Sequence, residues 1–360
     1  MANEFLNDNF SGVYSGKTVF VTGSRGFKAS YLALWLTKLG AKVISYSLDH
    51  PTRKGLYYCS SLKDHFLADI EGDVTDYNHI LDVFDKYRPE MVFHLAANPL
   101  VRDCYKTPLA TFKNNALGTA TVLDAVRNTD CVKNCIMITS DKCYKNIEQL
   151  WGYKENDRLE GVDPYSASKS CASVIISSYR DSFFKKMGIG LAEVRAGNVV
   201  GSLDWSKDRL IPDAIRSINS NSPIIIRNRY STRPWELVLE VLSGYLRVGQ
   251  KLLDDSSEYS TTFNFGPPLE NNKTVGEVID SLVKAYGRSF DINDMTDPNA
   301  PHECGLLYLD STKAYRMLGW KSKLTLDETM QFTADGYKAA LENDDMYEFA
   351  SKQIDKYCLA

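Results

Sequence analysis

The stretch "KTVFVTGSRGFKASYLALWLTKLG", residues 17–40, decides the fold that the sequence predicts. Its first residues form a short β-branched, apolar run that ends in Gly23, as a buried strand does. Its last residues place apolar side chains at helical spacing and stop at Gly40, a residue type that commonly ends a helix. Between them, Gly23 and Gly26 permit a tight turn and let a pyrophosphate approach the backbone N–H groups of the helix. The stretch therefore predicts a strand, a turn and a helix that together hold a dinucleotide.

Strands and helices alternate from this unit to about residue 200. The pattern predicts further strands in 41–48, 65–76, 90–97, 133–140 and 189–200, and helices in 77–89, 109–127 and 164–187. Continuously apolar strands joined by helices are typical of a parallel, doubly wound sheet. We therefore expect an α/β fold, a Rossmann-like sheet with a smaller mixed domain. The expected dinucleotide-binding domain is 15–200, with 235–265 returning to it, and the expected substrate domain is 201–234 with 266–360.

The composition is that of an ordinary soluble globular protein. The chain has 360 residues, of which 44% are hydrophobic and 24% charged, and its formal net charge is -4. It has no basic stripe for nucleic acid, no apolar run of the ~20 residues that a membrane span needs, and no signal-peptide pattern. Eight cysteines without a CxxC pair and five scattered histidines indicate reduced thiols in a cytoplasmic protein and no metal site.

Around the glycine turn, the residues leave the choice between NAD and NADP open. Ala29 stands where a third glycine is usual and still permits close helix packing. Ser47 ends the second strand, where an acidic residue usually holds the ribose hydroxyls, and Asp49 lies two residues on. Arg25, inside the turn, would instead favour a 2′-phosphate. In the "GDV" that follows the third strand, Asp73 is placed either to hold the adenine or to close a turn.

The stretch "DPYSASK", residues 163–169, places Tyr165 and Lys169 four residues apart at the start of a predicted helix. This spacing puts both side chains on one face. An ammonium beside a phenol stabilises the phenolate and lowers its pKa, so that the phenolate can take a proton from a sugar hydroxyl as a hydride leaves for a nicotinamide. The alternative is a chance spacing with a structural role.

A second group of ionisable residues follows the predicted strand 133–140. In "MITSDKCYKN", residues 137–146, Ser140, Asp141 and Lys142 are consecutive. Ionisable groups at the end of a buried strand are costly to desolvate unless they are paired or used. The trio therefore predicts either catalysis or an Asp–Lys ion pair that caps the strand.

Several longer stretches resemble the extended short-chain dehydrogenase/reductases and, within them, the nucleotide-sugar 4,6-dehydratases that act on CDP-glucose. They run from the glycine turn to "NFGP" and include "HLAANPLVRDCY", "ITSDKCYKN", "DPYSASKS", "RAGNVVGSLDW" and "RPW". The resemblance implies a lyase that oxidises the hexose at C4, eliminates water across C5 and C6, and returns the hydride to C6. The alternatives are a dehydratase for another nucleotide hexose, a nucleotide-sugar 4-epimerase and a non-catalytic sensor.

The resemblance assigns each catalytic residue a role. Ser140 hydrogen-bonds the C4 hydroxyl, Asp141 protonates the departing C6 hydroxyl, and Lys142 removes the C5 proton, while Tyr165 and Lys169 act at C4. Related dTDP-glucose dehydratases have Glu in place of Lys142, and a lysine acts as a base only when burial and a neighbouring charge lower its pKa. Asp141 needs the opposite shift of its pKa to hold a proton.

The resemblance also implies the binding residues and the assembly. The cofactor, NAD or NADP, is expected at Gly23, Arg25, Gly26, Phe27, Asp73, Val74, Ala96, Ala97 and Asn115, together with Tyr165 and Lys169. The nucleotide sugar is expected at Asn198, Asp204, Trp205, Arg209, Arg227 and Arg233. The family commonly pairs through two long helices, here 109–127 and 165–187, so a homodimer is expected, with a tetramer as the alternative. The chain departs from the family pattern at 24–25, 98, 202–203, 229 and 236–237.

Overall fold

The structure is a computed structural model that describes residues 10–49, 52–295, 305–343 and 345–360. Among the histidines and cysteines counted above, His50, His302 and Cys304 lie outside these residues. Within the described ranges, no helix is both long and apolar enough to cross a bilayer.

The described chain alternates strands and helices along most of its length. The strands are β1 (Thr18–Thr22), β2 (Lys42–Ser47), β3 (Ala68–Glu71), β4 (Met91–His94), β5 (Asn134–Ile138), β6 (Gly190–Ala196), β7 (Asn198–Val200), β8 (Ile224–Ile226), β9 (Thr232–Leu237), β10 (Thr262–Phe265), β11 (Asn272–Thr274) and β12 (Ile292–Asp294). The helices are α1 (Phe27–Lys38), α2 (Tyr77–Tyr87), α3 (Val101–Lys106), α4 (Pro108–Phe112), α5 (Gly118–Arg127), α6 (Pro164–Tyr179), α7 (Lys185–Met187), α8 (Leu210–Asn219), α9 (Val238–Asp254), α10 (Ser256–Tyr259), α11 (Val275–Tyr286), α12 (Thr312–Leu318), α13 (Leu326–Ala339) and α14 (Tyr347–Leu359).

A seven-stranded parallel sheet forms the centre of the protein, with the strand order β10-β6-β5-β4-β1-β2-β3. The order reverses between β1 and β4. In open α/β sheets, ligands bind outside the carboxyl ends of the strands at such a reversal. The predicted doubly wound, Rossmann-like fold is therefore confirmed, and the edge where β1 and β4 end is where a site is expected.

Alternate residues of the central strands point into two apolar cores, one on each face of the sheet. Val19 and Val21 pack in the first core with α1 and α9, whereas Phe20 packs in the second with α2 and α5. Because helices cover both faces, the strands read in the sequence as continuous apolar runs rather than alternating ones.

A smaller layer lies beyond β6. Here β11, β9 and β7 form a three-stranded sheet, and β12 pairs with β8. The helices α8, α11 and α13 pack on these strands and form a third apolar core.

The stretch 189–200, predicted as one strand, is two strands that belong to different sheets. β6 ends at Ala196 and pairs with β5 and β10, whereas β7 begins at Asn198 and pairs with β9. Gly197 separates them, and a Cβ added there would lie 2.4 Å from Cγ of Pro234 on β9. The single-strand prediction is wrong because a close approach between distant segments forces the break.

The carboxyl-terminal helices divide between the two layers. Within 235–265, α9 packs in the first core and β10 joins the central sheet. However, 312–324 and 346–358, which the sequence assigned to the substrate domain, also contribute side chains to that first core. The division into two domains stays a prediction.

Candidate active site

The glycine turn joins β1 to α1 at the carboxyl edge of the sheet. Gly23 has φ +73°, and a Cβ added there would lie 2.9 Å from the backbone N and Cα of Ala96. Gly26 precedes α1, whose first turn begins at Phe27 and has no side-chain cap. Because uncapped N–H groups at a helix start bind anions, this end of α1 fits a pyrophosphate.

Asp73 and Val74 follow β3, the outermost strand on one side of the sheet, and lie at the same carboxyl edge. Asp73 Oδ1 accepts hydrogen bonds from the backbone N–H and the hydroxyl of Thr75, at 2.8 and 2.9 Å. These hydrogen bonds close a turn, and a role of Asp73 at the adenine stays a prediction. Val74 is buried, and a Cβ added to Gly118 at the start of α5 would lie 2.8 Å from it.

Ser140, Asp141 and Lys142 form a connected group just after β5. Asp141 is 0% exposed, and its Oδ1 accepts hydrogen bonds from Ser140 Oγ at 3.0 Å and Lys142 Nζ at 3.2 Å. Lys142 Nζ also donates to Asn198 Oδ1 at 3.2 Å. The Asp–Lys ion pair is thus present, with a buried carboxylate.

One oxygen of that carboxylate is left over. Asp141 Oδ2 is buried and has no hydrogen-bond partner among the described residues. An unpaired buried polar atom lowers the stability of the fold by about 1–3 kcal/mol. An Asp–Lys pair that only capped the strand would therefore leave this cost uncompensated. The arrangement favours a ligand group as the missing partner.

Tyr165 and Lys169 lie buried on the first turns of α6, and Lys169 Nζ donates to the carbonyl of Ile138 at 3.3 Å. Burial raises the pKa of Tyr165 to about 12, although a hydrogen bond with Ser140 opposes the shift. Burial lowers the pKa of Lys169 to about 8. Desolvation thus dominates the pKa of Tyr165 in this state of the site, and the effect of Lys169 on the phenol stays a prediction.

Asn115 holds the catalytic helix against the loop that follows β4. It is buried, its Oδ1 accepts from the backbone N–H of Asn98 at 2.7 Å, and its Nδ2 donates to Ser168 Oγ at 2.9 Å. Ser168 in turn donates to the carbonyl of Tyr165 at 2.7 Å. Asn115 thus lies beside the catalytic pair as expected, with its amide engaged by protein groups. Ala96 and Ala97 lie in the same loop, where the N–H of Ala96 donates to Thr22 Oγ1 at 3.1 Å.

The predicted substrate residues divide into two groups. Asn198 contacts Lys142, and Arg209 is close enough for its charge to lower the pKa of Tyr165. Arg209 also lies 3.6 Å from Asp204, which is buried, and the Trp205 ring packs edge-on against Tyr337, with centroids 5.2 Å apart.

Arg227 and Arg233 have local partners of their own. Arg227 Nη1 lies 3.4 Å from Asp208 Oδ1, and Arg233 Nη1 donates to the carbonyl of Thr232 at 2.7 Å. Among the contacts of the described residues, neither guanidinium touches the catalytic trio. These contacts engage one nitrogen of each guanidinium, which has five N–H donors, and a role of the two arginines at a diphosphate stays a prediction.

Sequence reasoning missed two ionisable residues, the half-buried Lys28 and the buried Glu236. Lys28, in the first turn of α1, has its pKa lowered to about 7 by desolvation and by the charges of Lys169 and Arg209. Both carboxylate oxygens of Glu236 are buried without a hydrogen-bond partner among the described residues, and burial and Glu240 raise its pKa. The signals were present, since Lys28 interrupts an apolar helix start and Glu236 departs from the family pattern.

Within the described part of the chain, no group of three or more His, Cys, Asp or Glu side chains is arranged to hold a metal ion.

A parallel sheet, an uncapped helix behind a glycine turn, and a buried tyrosine and lysine at the same edge define the class of the protein: an extended short-chain dehydrogenase/reductase. The chain belongs to the GDP-mannose 4,6 dehydratase family, whose model matches residues 20–333.

Two relatives show the range of similarity. The chain is 44% identical to a CDP-glucose 4,6-dehydratase of Salmonella typhimurium over 361 aligned residues, 99% of each chain. It is 23% identical to a dTDP-D-glucose 4,6-dehydratase of Mus musculus over 339 residues, 91% of this chain and 90% of the other.

Solved structures share the fold at lower identity. A dTDP-glucose 4,6-dehydratase of Bacillus anthracis in complex with NAD matches with a TM-score of 0.76 and 20% identity, covering 91% of this chain and 98% of the other. A UDP-glucose 4-epimerase of Thermotoga maritima with UDP-glucose matches with a TM-score of 0.77 and 21% identity, covering 90% and 99%. The fold is thus common to dehydratases and epimerases, and the residues of the site must distinguish them.

Proposed function

We propose that the protein is a CDP-glucose 4,6-dehydratase, which converts CDP-glucose to CDP-4-keto-6-deoxyglucose and water with NAD as a recycled cofactor. One observation carries the proposal: a buried acid, Asp141, contacts an amine, Lys142, and a hydroxyl, Ser140, that reaches Tyr165. An epimerase has no need of an acid and a base beyond C4. The relative at 44% identity carries the same activity in its name and supports the choice of nucleotide.

The first step is oxidation at C4. Tyr165 takes the proton of the C4 hydroxyl, and Lys169 and Ser140 stabilise the phenolate. Bound NAD supplies the hydride acceptor for C4 and a positive ring charge that favours the Tyr165 phenolate. The ketone formed at C4 acidifies the hydrogen on C5.

The second step is elimination of water. Lys142 removes the C5 proton, and Asp141 protonates the C6 oxygen as it leaves. Lys142 Nζ lies 3.2 Å from both Asp141 Oδ1 and Asn198 Oδ1, so the proposed base and acid are neighbours, as the adjacent carbons C5 and C6 would require. The hydride then returns to C6, and C5 regains its proton.

The proton balance assigns Ser140 a further task. The reaction releases no net proton, because the proton taken from the C4 hydroxyl ends on the water that leaves C6. In each turnover Tyr165 must therefore lose a proton and Asp141 must regain one, and a direct path between them would satisfy both needs. Ser140 donates to Asp141 at 3.0 Å and is close enough to Tyr165 to lower its pKa, which supports Ser140 as the carrier.

The assembly we propose is a homodimer formed by the helices 109–127 and 165–187. Apolar side chains on these helices face solvent in the single chain, with Leu109 83% and Val174 58% exposed. Exposed apolar side chains clustered on paired helices are typical of a subunit interface.

We also propose a cytoplasmic location. The thiols of Cys131, Cys135 and Cys143 are buried and free, as is usual in a reducing compartment.

The test is incubation of the protein with NAD and CDP-glucose, followed by mass spectrometry of the nucleotide sugar. We expect a product lighter by one water that bears a ketone, and slower reactions with the dTDP-, UDP- and GDP-linked hexoses. A product of unchanged mass would identify an epimerase instead, and binding without turnover would identify a sensor.

A matched variant isolates the acid. Asp141→Asn keeps the shape of the side chain but removes its proton-donating ability. We expect C4 oxidation to persist and dehydration to slow by about 10²–10⁴-fold, the usual contribution of a general acid. Single-turnover absorbance of the reduced nicotinamide measures the first step, and product mass measures the second. Equal dehydration rates for both proteins would rule Asp141 out as the acid.

A further inference from the structure

A cluster of charges surrounds Arg25 at the end of the glycine turn farthest from the catalytic trio. The Arg25 guanidinium lies 3.4 Å from Asp69, 3.5 Å from Glu71 and 3.7 Å from Asp49. Its side chain is only 10% exposed, and its guanidinium carbon lies 5.3 Å from the centroid of the Tyr57 ring. We call Arg25, Asp49, Asp69 and Glu71 the Arg25 cluster.

Asp69 is the most firmly held carboxylate of the cluster. Its Oδ1 accepts from Ser45 Oγ at 2.6 Å, and its Oδ2 accepts from Tyr57 OH at 2.5 Å. Ser45 Oγ also lies 2.6 Å from Ser24 Oγ in the glycine turn. Hydrogen bonds through Ser45 on β2 thus connect Asp69 on β3 to the glycine turn that carries Arg25.

The cluster lies where the adenosine ribose of a dinucleotide binds in this fold, beside the glycine turn and the end of β2. Three carboxylates face one guanidinium, so their formal charges leave an excess of negative charge at this point. Although burial disfavours the charged form of Arg25, Asp69 and Tyr57 outweigh it and raise the pKa of the guanidinium. Arg25 is therefore a neutralised cation, and a 2′-phosphate would meet like charges.

One donor of Arg25 remains available to a neutral group. Its Nε is buried and has no hydrogen-bond acceptor among the described residues. A ribose hydroxyl can accept from such a donor and can itself donate to a carboxylate, whereas a phosphate can only accept. The polar groups of the cluster thus match an unphosphorylated ribose.

We propose that the Arg25 cluster selects NAD over NADP, and that Asp69 is the residue that decides the selection by holding Arg25 away from a 2′-phosphate. This inference rests on the proposed function only in requiring that a dinucleotide binds. It reverses what Arg25 indicates in the sequence, where a basic residue in the turn favours NADP. In the cluster, the same arginine favours NAD, because the neighbouring carboxylates already neutralise its charge.

The test is equilibrium binding of NAD and of NADP to the purified protein by isothermal titration calorimetry. We expect the wild type to bind NAD at least about tenfold more tightly than NADP, the size of one contact to a charged group. Asp69→Asn should reduce this ratio about tenfold or more by strengthening NADP binding. Adding Arg25→Ala to Asp69→Asn should remove the gain, because the freed guanidinium is its cause.

The control is Asp130→Asn, which removes the carboxylate of the exposed Arg88–Asp130 pair and should leave the ratio unchanged. If Asp69→Asn does not yield folded protein by circular dichroism, Glu71→Gln, on an exposed side chain of the cluster, takes its place with the same expected direction. Wild-type protein that binds NADP as tightly as NAD, or a ratio that the variants do not change, would overturn the selection. Binding of neither dinucleotide would go against the proposed function itself.

Discussion

Glu193→Gln, which removes the charge of the side chain and keeps its shape, should be the most destabilising single isosteric change near β5, the strand that precedes Ser140, Asp141 and Lys142. Glu193 and Arg195 lie on one face of β6, both almost fully buried, and form two hydrogen bonds of 2.9 Å. Thr139 and Thr262 donate to the same carboxylate at 2.5 and 3.1 Å. Although burial alone would raise the pKa of Glu193, Arg195 and the hydrogen bonds from Ser173 and Thr139 lower it, so the group is charged at neutral pH.

The magnitude follows from what Glu193→Gln leaves behind. The amide has almost the shape of the carboxylate, but the Arg195 charge loses its counter-ion in a buried site. Breaking a buried pair on one side costs about 3–5 kcal/mol, and we expect that loss in the free energy of unfolding at pH 7. Because a carboxylate with a lowered pKa stabilises the fold only while ionised, the difference between the proteins should shrink as the pH falls below 4.5.

Urea unfolding followed by circular dichroism measures the effect. Thr262→Val is the matched control, because it removes one neutral donor to the same carboxylate and should cost about 1 kcal/mol. The double variant Glu193→Leu/Arg195→Met should be more stable than Glu193→Gln, since it leaves no buried charge. A loss below about 1 kcal/mol for Glu193→Gln would refute the reasoning, because it would mean that Arg195 finds water or another partner at little cost.

Three further predictions concern the base, a buried histidine and the assembly. Lys142→Ala and Lys142→Arg should both allow C4 oxidation but block exchange of the C5 hydrogen with deuterium oxide, because neither side chain offers a base. NMR measures this exchange, and exchange in either variant would contradict the assignment of Lys142 as the base. Burial lowers the pKa of His94 from 6.5 to about 3, so the unfolded chain binds a proton first as the pH falls. Between pH 6.5 and about pH 5, the wild type should therefore lose about 2 kcal/mol more stability than His94→Gln in urea titrations, and equal losses would disprove this. Leu109→Asp should convert a dimer to a monomer in analytical ultracentrifugation, whereas Leu341→Asp, at an exposed leucine outside the two helices, should not.

The local sequence pattern was sufficient to predict the first strand and helix and the spacing of the proposed catalytic residues. The apolar run of β1 and the helical spacing of α1 depend on neighbours within a few residues, and both elements form where the sequence predicts them. The adjacency of Ser140, Asp141 and Lys142 and the spacing of Tyr165 and Lys169 likewise survive folding, because a turn and a helix preserve short separations.

Contacts between distant segments decided the rest. The break at Gly197 comes from Pro234, and the neutralisation of Arg25 comes from Asp69 and Glu71, more than forty residues along the chain. The raised pKa of Tyr165 comes from its burial in the folded protein. Desolvation and the pairing of remote charges depend on what packs around a group, which a one-dimensional pattern does not contain. The sequence by itself therefore determined which residues could react, and only the tertiary structure decided their charges and partners.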